Sequence, residues 1–307
     1  MNAPEGRIDA RDWSLLGVLS VLWGGSFFFN GLILRELPPL TVVFLRVAVA
    51  ALILLPLLRA YRIPFPRGVS GWTPFVAIAL FNNVLPFSLI VTGQTYIASG
   101  LASILNATTP LFTVMVMAAV GEERLSGRRI AGVVTGLIGV AILRGEAAGF
   151  IKTGQGIGIL LCLGATVSYA LSALLARRLL ANSPPLGTAT FQLLASTAMM
   201  AIVAGSVEQP WRLPMPGMTT WLAVIGLAAL STALAYIVFF QIVRRSGATN
   251  VMLVTLLIPV TAILLGYLVL GESISARELI GAAVIGSALL LIDGRVVALV
   301  RRRFAVS

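Results

Sequence analysis

The sequence predicts an all-α integral membrane protein, with ten transmembrane helices arranged as two inverted five-helix repeats around a central cavity. Three observations predict it. Apolar side chains make up 58% of the 307 residues and charged ones 11%, and the mean hydropathy is +1.00; a soluble domain carries about a quarter charged residues. Ten apolar runs lie between short polar connections, each close to the roughly 20 residues that cross a bilayer core about 30 Å thick. The chain also aligns with itself when shifted by about half its length.

The runs, in order, are 13–34, 39–58, 72–92, 97–120, 128–143, 155–180, 186–205, 218–242, 247–270 and 278–293. The first follows a leader with three acids and ends in no small-residue cleavage site, so it is read as helix 1 and not as a cleaved signal. The connections then alternate in charge. With the N-terminus in the cytoplasm, sixteen basic residues fall inside: Arg7, Arg11, Arg59, Arg62, Arg67, Arg124, Arg128, Arg129, Arg177, Arg178, Arg244, Arg245, Arg295 and Arg301 to Arg303. Five fall outside: Arg35, Arg144, Lys152, Arg212 and Arg277. The positive-inside rule therefore sets both ends in the cytoplasm of a bacterial-type inner membrane. It also explains the net charge of +11 as topology, so no nucleic-acid partner is expected. The resulting organisation is a cytoplasmic segment 1–12, a repeat 13–146, a second repeat 147–294 and a basic tail 295–307.

The repeat is visible in particular residues. At a shift of 146, Trp23 meets Tyr169, Ser26 meets Ser172, Pro38-Pro39-Leu40 meets Pro184-Pro185-Leu186, and Arg46 meets Gln192. From helix 3 the shift becomes 149, where Trp72 meets Trp221, Asn82-Asn83 meets Ser231-Thr232, Phe87 meets Tyr236 and Pro110 meets Pro259. Five spans per unit force the second unit to enter with opposite orientation. Two such halves can exchange conformations and open one central site to each side in turn.

The composition narrows the chemistry. With no histidine, a Ser-His-Asp triad or Cys-His dyad cannot be built, and no enzyme, metal site or cofactor is read. The single cysteine, Cys162, has no partner for an intramolecular disulfide and reads as a small buried side chain. Gly154-Gln155-Gly156-Ile157-Gly158 opens a helix, follows no strand and lacks the third glycine of a nucleotide loop.

The chain resembles the drug/metabolite transporter superfamily, specifically its EamA-type ten-helix exporters. The resemblance rests on WGGSFFF (23–29), FLR (44–46), YIASGLASILNATTPLFTVMVMAAVGEERLSGRRIAG (96–132) and GATNVMLVTLLIPVTAILLGYLVLGESISARELIG (247–281). It implies a basket of helices 1–4 and 6–9 around the cavity, with helices 5 and 10 more peripheral. It also implies export of amino acids, often aromatic, or of other small metabolites and drugs. Helix 1 lacks the membrane-embedded glutamate of the related four-helix multidrug proteins, which argues against carrying over their proton antiport.

Polar residues within the spans are the candidates for substrate binding: Trp23, Arg46, Asn82, Asn83, Asn106, Tyr169, Gln192, Ser231 and Tyr236. Arg46 lies about 10 Å below the outer end of helix 2, where an unpaired charge costs a few kcal/mol. It can attract a substrate carboxylate, or it can bond carbonyls freed at a helix break and orient a neighbouring helix. Asn82 and Asn83 point about 100° apart, so at most one of them, and likewise one of Ser231 and Thr232, faces the cavity well; interhelical glue is the other reading. Pro110 and Pro259 are the candidate hinges, each freeing carbonyls one turn earlier, near Asn106 and Thr255. Trp23, Phe27, Phe28, Tyr169 and Tyr236 suit an aromatic lining, while Trp13, Trp72 and Trp221 read as interface anchors. Gly132, Gly136 and Gly139 in helix 5, with Gly281 and Gly286 in helix 10, serve close packing within the chain or a homodimer face.

All eleven acids fall in termini, loops or helix ends, so facilitated diffusion or exchange of neutral, including aromatic, amino acids is favoured over proton antiport. Glu272 or Glu122 dipping inward would reverse that preference. The alternatives are a proton-coupled exporter of drugs or purine-like metabolites and, from another class, a lipid scramblase. The expected partners are a small-molecule substrate and the bilayer.

Overall fold

The computed structural model describes residues 10–123, 126–144, 154–181, 183–246, 251 and 253–293. The expected cytoplasmic segment up to residue 9, the basic tail, and the unit boundary at 146–147 with Lys152 lie outside the described residues. Within them all regular structure is helical. α1 is Ala10–Ile33, α2 Pro39–Ala60, α5 Gly127–Arg144, α6 Gln155–Leu179, α7 Pro185–Val207 and α10 Ala276–Asp293. α3 joins Gly68–Ala79 to Leu85–Gly93 through a π-helical turn, Leu80–Val84, and α8 joins Met218–Ala228 to Ala235–Ser246 through another, Ala229–Leu234. α4 is broken into Ser99–Asn106 and Thr109–Ala119, and α9 runs Val254–Leu265 into a π turn, Gly266–Leu270.

Seven of these, α1–α4 and α6–α8, are long and apolar enough to cross a membrane, and α9 is a shorter apolar helix. α5 and α10 each carry three charged residues in their end turns, Arg128, Arg129 and Arg144 in one and Arg277, Glu278 and Asp293 in the other, with none between. The two Pro-Pro-Leu phrases do the same work twice. Pro38 and Pro184 are non-helical, and Pro39 and Pro185 begin α2 and α7, where a fixed φ and a missing N–H cost nothing.

The π turns sit at equivalent positions of the two units, and sequence periodicity had suggested plain α-helix there. In α3, Pro86 has no N–H to offer the carbonyl of Asn82, and the neighbouring carbonyl of Phe81 accepts from Ser168 Oγ of α6 at 2.8 Å. In α8 the Thr232 hydroxyl reaches back to the Leu227 carbonyl at 2.9 Å. Apolar surroundings require such substitutes for lost backbone bonds.

The proline positions behave differently from one another. Pro110 opens a new helical segment after the break, and the hydroxyls of Thr108 and Thr109 take up the carbonyls of Leu105 and Asn106, each at 2.7 Å. Pro259 lies inside the segment Val254–Leu265, which begins one residue before Thr255, after a turn at Leu253. Leu257 and Ile258 stand where the first unit has Thr108 and Thr109.

α1 packs on α9 and α8, α6 on α4 and α3, α2 on α7, and α5 on α10. Two of these pairs are visibly antiparallel. The end of α7 meets the start of α2, where Glu208 binds Leu40 and Thr41. Gly132, early in α5, faces Ala288 and Ile292, late in α10, while Gly139 faces Gly281 and Ile285. A methyl on Gly139 would stand 3.1 Å from the Gly281 carbonyl oxygen, and one on Gly281 would stand 3.2 Å from that of Gly139. These glycines, together with Gly136 against Leu111, are consumed by packing within the chain, whereas Gly286 faces open space.

The two ends of the bundle are fastened by different chemistry. At one, carboxylates cap the N-termini of helices from other parts of the chain: Glu36 on the Gly217 N–H, Glu208 on Leu40 and Thr41, and Glu272 on Ser99 and Gly100. At the other, Asp12 pairs with Arg245, Glu122 with Arg177 and Arg178, and Glu123 with Arg129.

Candidate functional site

Between these ends the helices enclose a cavity of about 390 Å³, within the range of small-molecule sites. Eight of the nine candidate residues line it: Trp23, Arg46, Asn82, Asn106, Tyr169, Gln192, Ser231 and Tyr236. Asn83 does not. It is fully buried behind the wall, donating to Ser196 Oγ at 2.9 Å and accepting from the Tyr236 hydroxyl at 3.1 Å. The π turn of α3 thus sends Asn82 to the cavity and Asn83 to an interhelical bond. In α8 both Ser231 and Thr232 reach the wall, correcting the expectation that only one would. The i→i+5 turn spreads side chains differently from the α-helix on which that expectation rested.

Two stripes form opposing faces. On α1, Trp23, Ser26, Phe27 and Asn30 line the cavity, and on α6 Tyr169, Ser172, Ala173 and Ala176. Both follow the i, i+3, i+4, i+7 spacing of one helix face. Because α1 runs toward the carboxylate-capped end and α6 toward the arginine-rich end, Phe27 and Asn30 close one end while Ala173 and Ala176 leave the other wide. Exposure follows the same gradient. Asn30, Phe27 and Ile90 are buried, whereas Ala173, Ala176, Thr188 and Thr255 are part-exposed, so the lining is more exposed toward the arginine-rich end.

Arg46 is the only charged group on this wall among the described residues. Its Nε donates to Thr232 Oγ1 at 3.0 Å, and its guanidinium carbon lies 3.7 Å from the centroid of Phe87. A desolvated cation over an aromatic face gains about 2 kcal/mol. It forms no ion pair with a carboxylate among the described residues, and Nη1 and Nη2 have no hydrogen-bond partner there. Arg46 is therefore tied to α8 through Thr232, and its two Nη nitrogens remain open.

The polar wall around it has a defined polarity. Ser196 Oγ donates to the Gln192 carbonyl at 2.7 Å, so it accepts from Asn83, whose oxygen accepts from Tyr236, whose oxygen accepts from Asn82 Nδ2 at 3.2 Å. Asn82 Nδ2 also donates to Gln192 Oε1 at 2.9 Å. Gln192 Nε2 and Asn82 Oδ1 are left over, one donor and one acceptor.

The aromatic lining differs in membership from the sequence reading. Trp23, Phe27, Tyr169 and Tyr236 belong to it, Phe28 does not, and Phe87, Phe239 and Phe240 were missed. Phe239 lies 5.5 Å from Trp23 and 5.1 Å from Phe240, centroid to centroid. The signal existed, since Tyr236, Phe239 and Phe240 share one face of α8 at i, i+3, i+4. Asn30 was missed in the same way on the α1 stripe. Trp13 is exposed in the first turn of α1, as an anchor should be, but Trp72 packs edge-on against Phe191 at 5.7 Å.

The EamA-like transporter family matches residues 12–145 and again residues 156–293. A probable amino-acid metabolite efflux pump of Salmonella typhimurium is 27% identical over 293 residues, covering 92% of this chain and 94% of that protein. The uncharacterized transporter YvbV of Bacillus subtilis is 27% identical over 284 residues, covering 91% and 90%, and a probable amino-acid metabolite efflux pump of Escherichia coli is 25% identical over 290 residues, covering 92% and 94%. A solved crystal structure superposes with a TM-score of 0.65 at 22% identity over 96% of this chain and 99% of that one, a likeness of fold. With both halves of its length matched, the chain belongs to the EamA-like transporter family and is a multi-pass membrane transporter.

Proposed function

We propose that this transporter exports neutral amino acids, aromatic ones included, by alternating access, and that it works by facilitated diffusion or exchange. The observation that carries the reading is Arg46, tied by Nε to Thr232 with both Nη groups open, in a cavity walled by Trp23, Phe27, Tyr236, Phe239 and Phe240. A guanidinium so held matches a carboxylate, and the aromatic wall matches an apolar side chain. No carboxylate lines the cavity among the described residues. Glu122 is engaged by Arg177 and Arg178, and Glu272 caps the start of α4, so neither supplies the buried acid that proton coupling commonly uses. Two relatives carry the name probable amino-acid metabolite efflux pump, which agrees with this substrate class.

We read the spans as ten, in units 13–146 and 147–294 of opposite orientation, with both chain ends cytoplasmic in a bacterial-type inner membrane. The antiparallel packing of α2 on α7 and of α5 on α10 supports the inversion, since each pair joins equivalent helices. Exchanging the halves also turns the α1–α9 contact into α6–α4 and α1–α8 into α6–α3, all of them present. Such halves can trade conformations around a fixed site.

The test is entry of labelled phenylalanine, methionine and threonine into proteoliposomes, first without an ion gradient and then with a pH step. Saturable entry without a gradient is expected. Entry only with the pH step would overturn the uncoupled mechanism, and no entry of any of the three would overturn the substrate class.

A further inference from the structure

Three buried side-chain polar atoms have no hydrogen-bond partner among the described residues: Asn30 Oδ1, Asn106 Oδ1 and Ser231 Oγ. All three residues line the cavity. An acceptor sealed from water without a donor is costly, so three such atoms on residues that line one cavity point to a ligand that brings donors. Their identity as acceptors is fixed by the network in the case of Asn30. Gln94 Nε2 donates to the Phe27 carbonyl at 2.9 Å, and a carbonyl can only accept. Gln94 Oε1 must therefore be the acceptor for Asn30 Nδ2 at 2.9 Å, leaving Asn30 with its oxygen free. Turning the Asn30 amide over would set two oxygens against each other. The Asn106 side chain makes no hydrogen bond among the described residues, so in either orientation it offers one open acceptor. The Ser231 hydroxyl can accept as well.

Resting on the reading of the cavity as an amino-acid site with its carboxylate on Arg46, we infer that Asn30 and Asn106, assisted by Ser231, form a separate pole for the substrate's ammonium group. The cavity then discriminates by charge at two places. Arg46 presents donors only, and its counterpart in the second unit is the neutral Gln192. Asn30 presents an acceptor, and its counterpart is the apolar Ala176. Three N–H donors of an ammonium match three open acceptors without any carboxylate on the wall, so the site holds a zwitterion and leaves its own net charge unchanged. An analogue lacking the ammonium leaves those acceptors bare, and sites built on hydrogen bonds reject such analogues strongly.

The experiment compares phenylalanine with 3-phenylpropanoate, which keeps the carboxylate and the ring but lacks the amine, by uptake into proteoliposomes and by binding to the purified full-length protein. The wild type is expected to prefer phenylalanine by at least tenfold. Asn30→Leu and Asn106→Leu are each expected to cut that preference to threefold or less, chiefly by weakening phenylalanine binding, with the helical circular-dichroism signal and a cooperative thermal unfolding transition certifying their folding. Asn106→Asp is expected to widen it. Equal handling of the two ligands by the wild type, or a full preference retained by both leucine variants, would overturn the ammonium pole and leave the carboxylate reading standing. Failure of the wild type to bind either ligand would overturn the underlying reading itself.

Discussion

Thr41 gives both its backbone N–H, at 2.6 Å, and its hydroxyl, at 2.8 Å, to a single oxygen of Glu208, whose other oxygen takes the Leu40 N–H at 2.9 Å. A carboxylate from the end of α7 thereby caps the first turn of α2, where free N–H groups and the positive end of the helix dipole favour a negative charge. Loss of such a cap costs about 1 kcal/mol. Glu208→Ala is expected to lower the thermal unfolding temperature of the purified protein, and Glu208→Lys to lower it further by setting a cation against the helix start. Equal temperatures for all three proteins would show that the cap carries no stability.

Arg46 presents the second prediction. A hydrogen bond to a charged group contributes about 1.5–3 kcal/mol, so Arg46→Gln is expected to weaken phenylalanine binding by roughly ten- to a hundredfold. Arg46→Lys keeps the charge but loses the planar fork and should fall between. Competition binding checks the order; undiminished affinity in Arg46→Gln would remove the carboxylate from this position.

How much of this was legible follows from the kind of signal each residue leaves. The doubled unit, the spans and most of the wall came from patterns of identity and hydropathy that a single chain displays, such as Trp23 against Tyr169 and Asn82 against Ser231. The π turns left no such mark. That of α3 depends on Pro86 withholding one N–H and on Ser168, 87 residues from Phe81, supplying a substitute, and that of α8 on the Thr232 hydroxyl bonding the Leu227 carbonyl. Asn30 was missed because its counterpart is an alanine, so the alignment that exposed Ser26 and Ser172 passed over it, although it shares one face of α1 with Trp23, Ser26 and Phe27.

Glu36 supplies a pH dependence of known sign. Its carboxyl is held below the usual 4.5 chiefly by the Gly217 N–H and then by the Thr220 hydroxyl, with desolvation opposing. A folded value below the unfolded one means the interaction stabilises fully above the unfolded pKa and is lost as pH falls through the folded one. The gap in unfolding temperature between wild type and Glu36→Gln should be constant above about pH 6 and close toward about pH 3. A gap that widens on acidification would refute the assignment.

The α5–α10 contact separates two glycines that look alike in sequence. Gly139→Ala drives a methyl to within 3.1 Å of the Gly281 carbonyl oxygen and 2.7 Å of Ile285 Cγ1, and overpacking of this kind costs about 1–3 kcal/mol. Gly286→Ala meets nothing and gains up to about 1 kcal/mol of helix propensity. Thermal unfolding of the two variants should therefore move in opposite directions, and a common direction would contradict the packing.

The asymmetry of the two stripes carries the last prediction. Phe27 and Asn30 on α1 correspond to Ala173 and Ala176 on α6, and the lining is buried where the larger pair stands and part-exposed where the alanines stand. If the width of that end is set by side-chain size, then Ala173→Phe should narrow it from the arginine-rich side without touching Arg46 or the Asn82–Gln192 network. The expected result is a fall of at least tenfold in the rate of phenylalanine entry, with equilibrium binding to the detergent-purified protein changed by less than threefold. The reciprocal change, Phe27→Ala, removes bulk from the closed end while the Glu272 cap on Ser99 and Gly100 stays in place. It should leave the closed end shut, because the hydrogen bonds between Gln94, Ser99 and the Phe27 carbonyl use backbone that alanine retains. Access of a membrane-impermeant thiol reagent to a cysteine introduced at Ile90 reads this out, and labelling in Phe27→Ala from the carboxylate-capped side would show that the ring, and not the caps, holds that end closed.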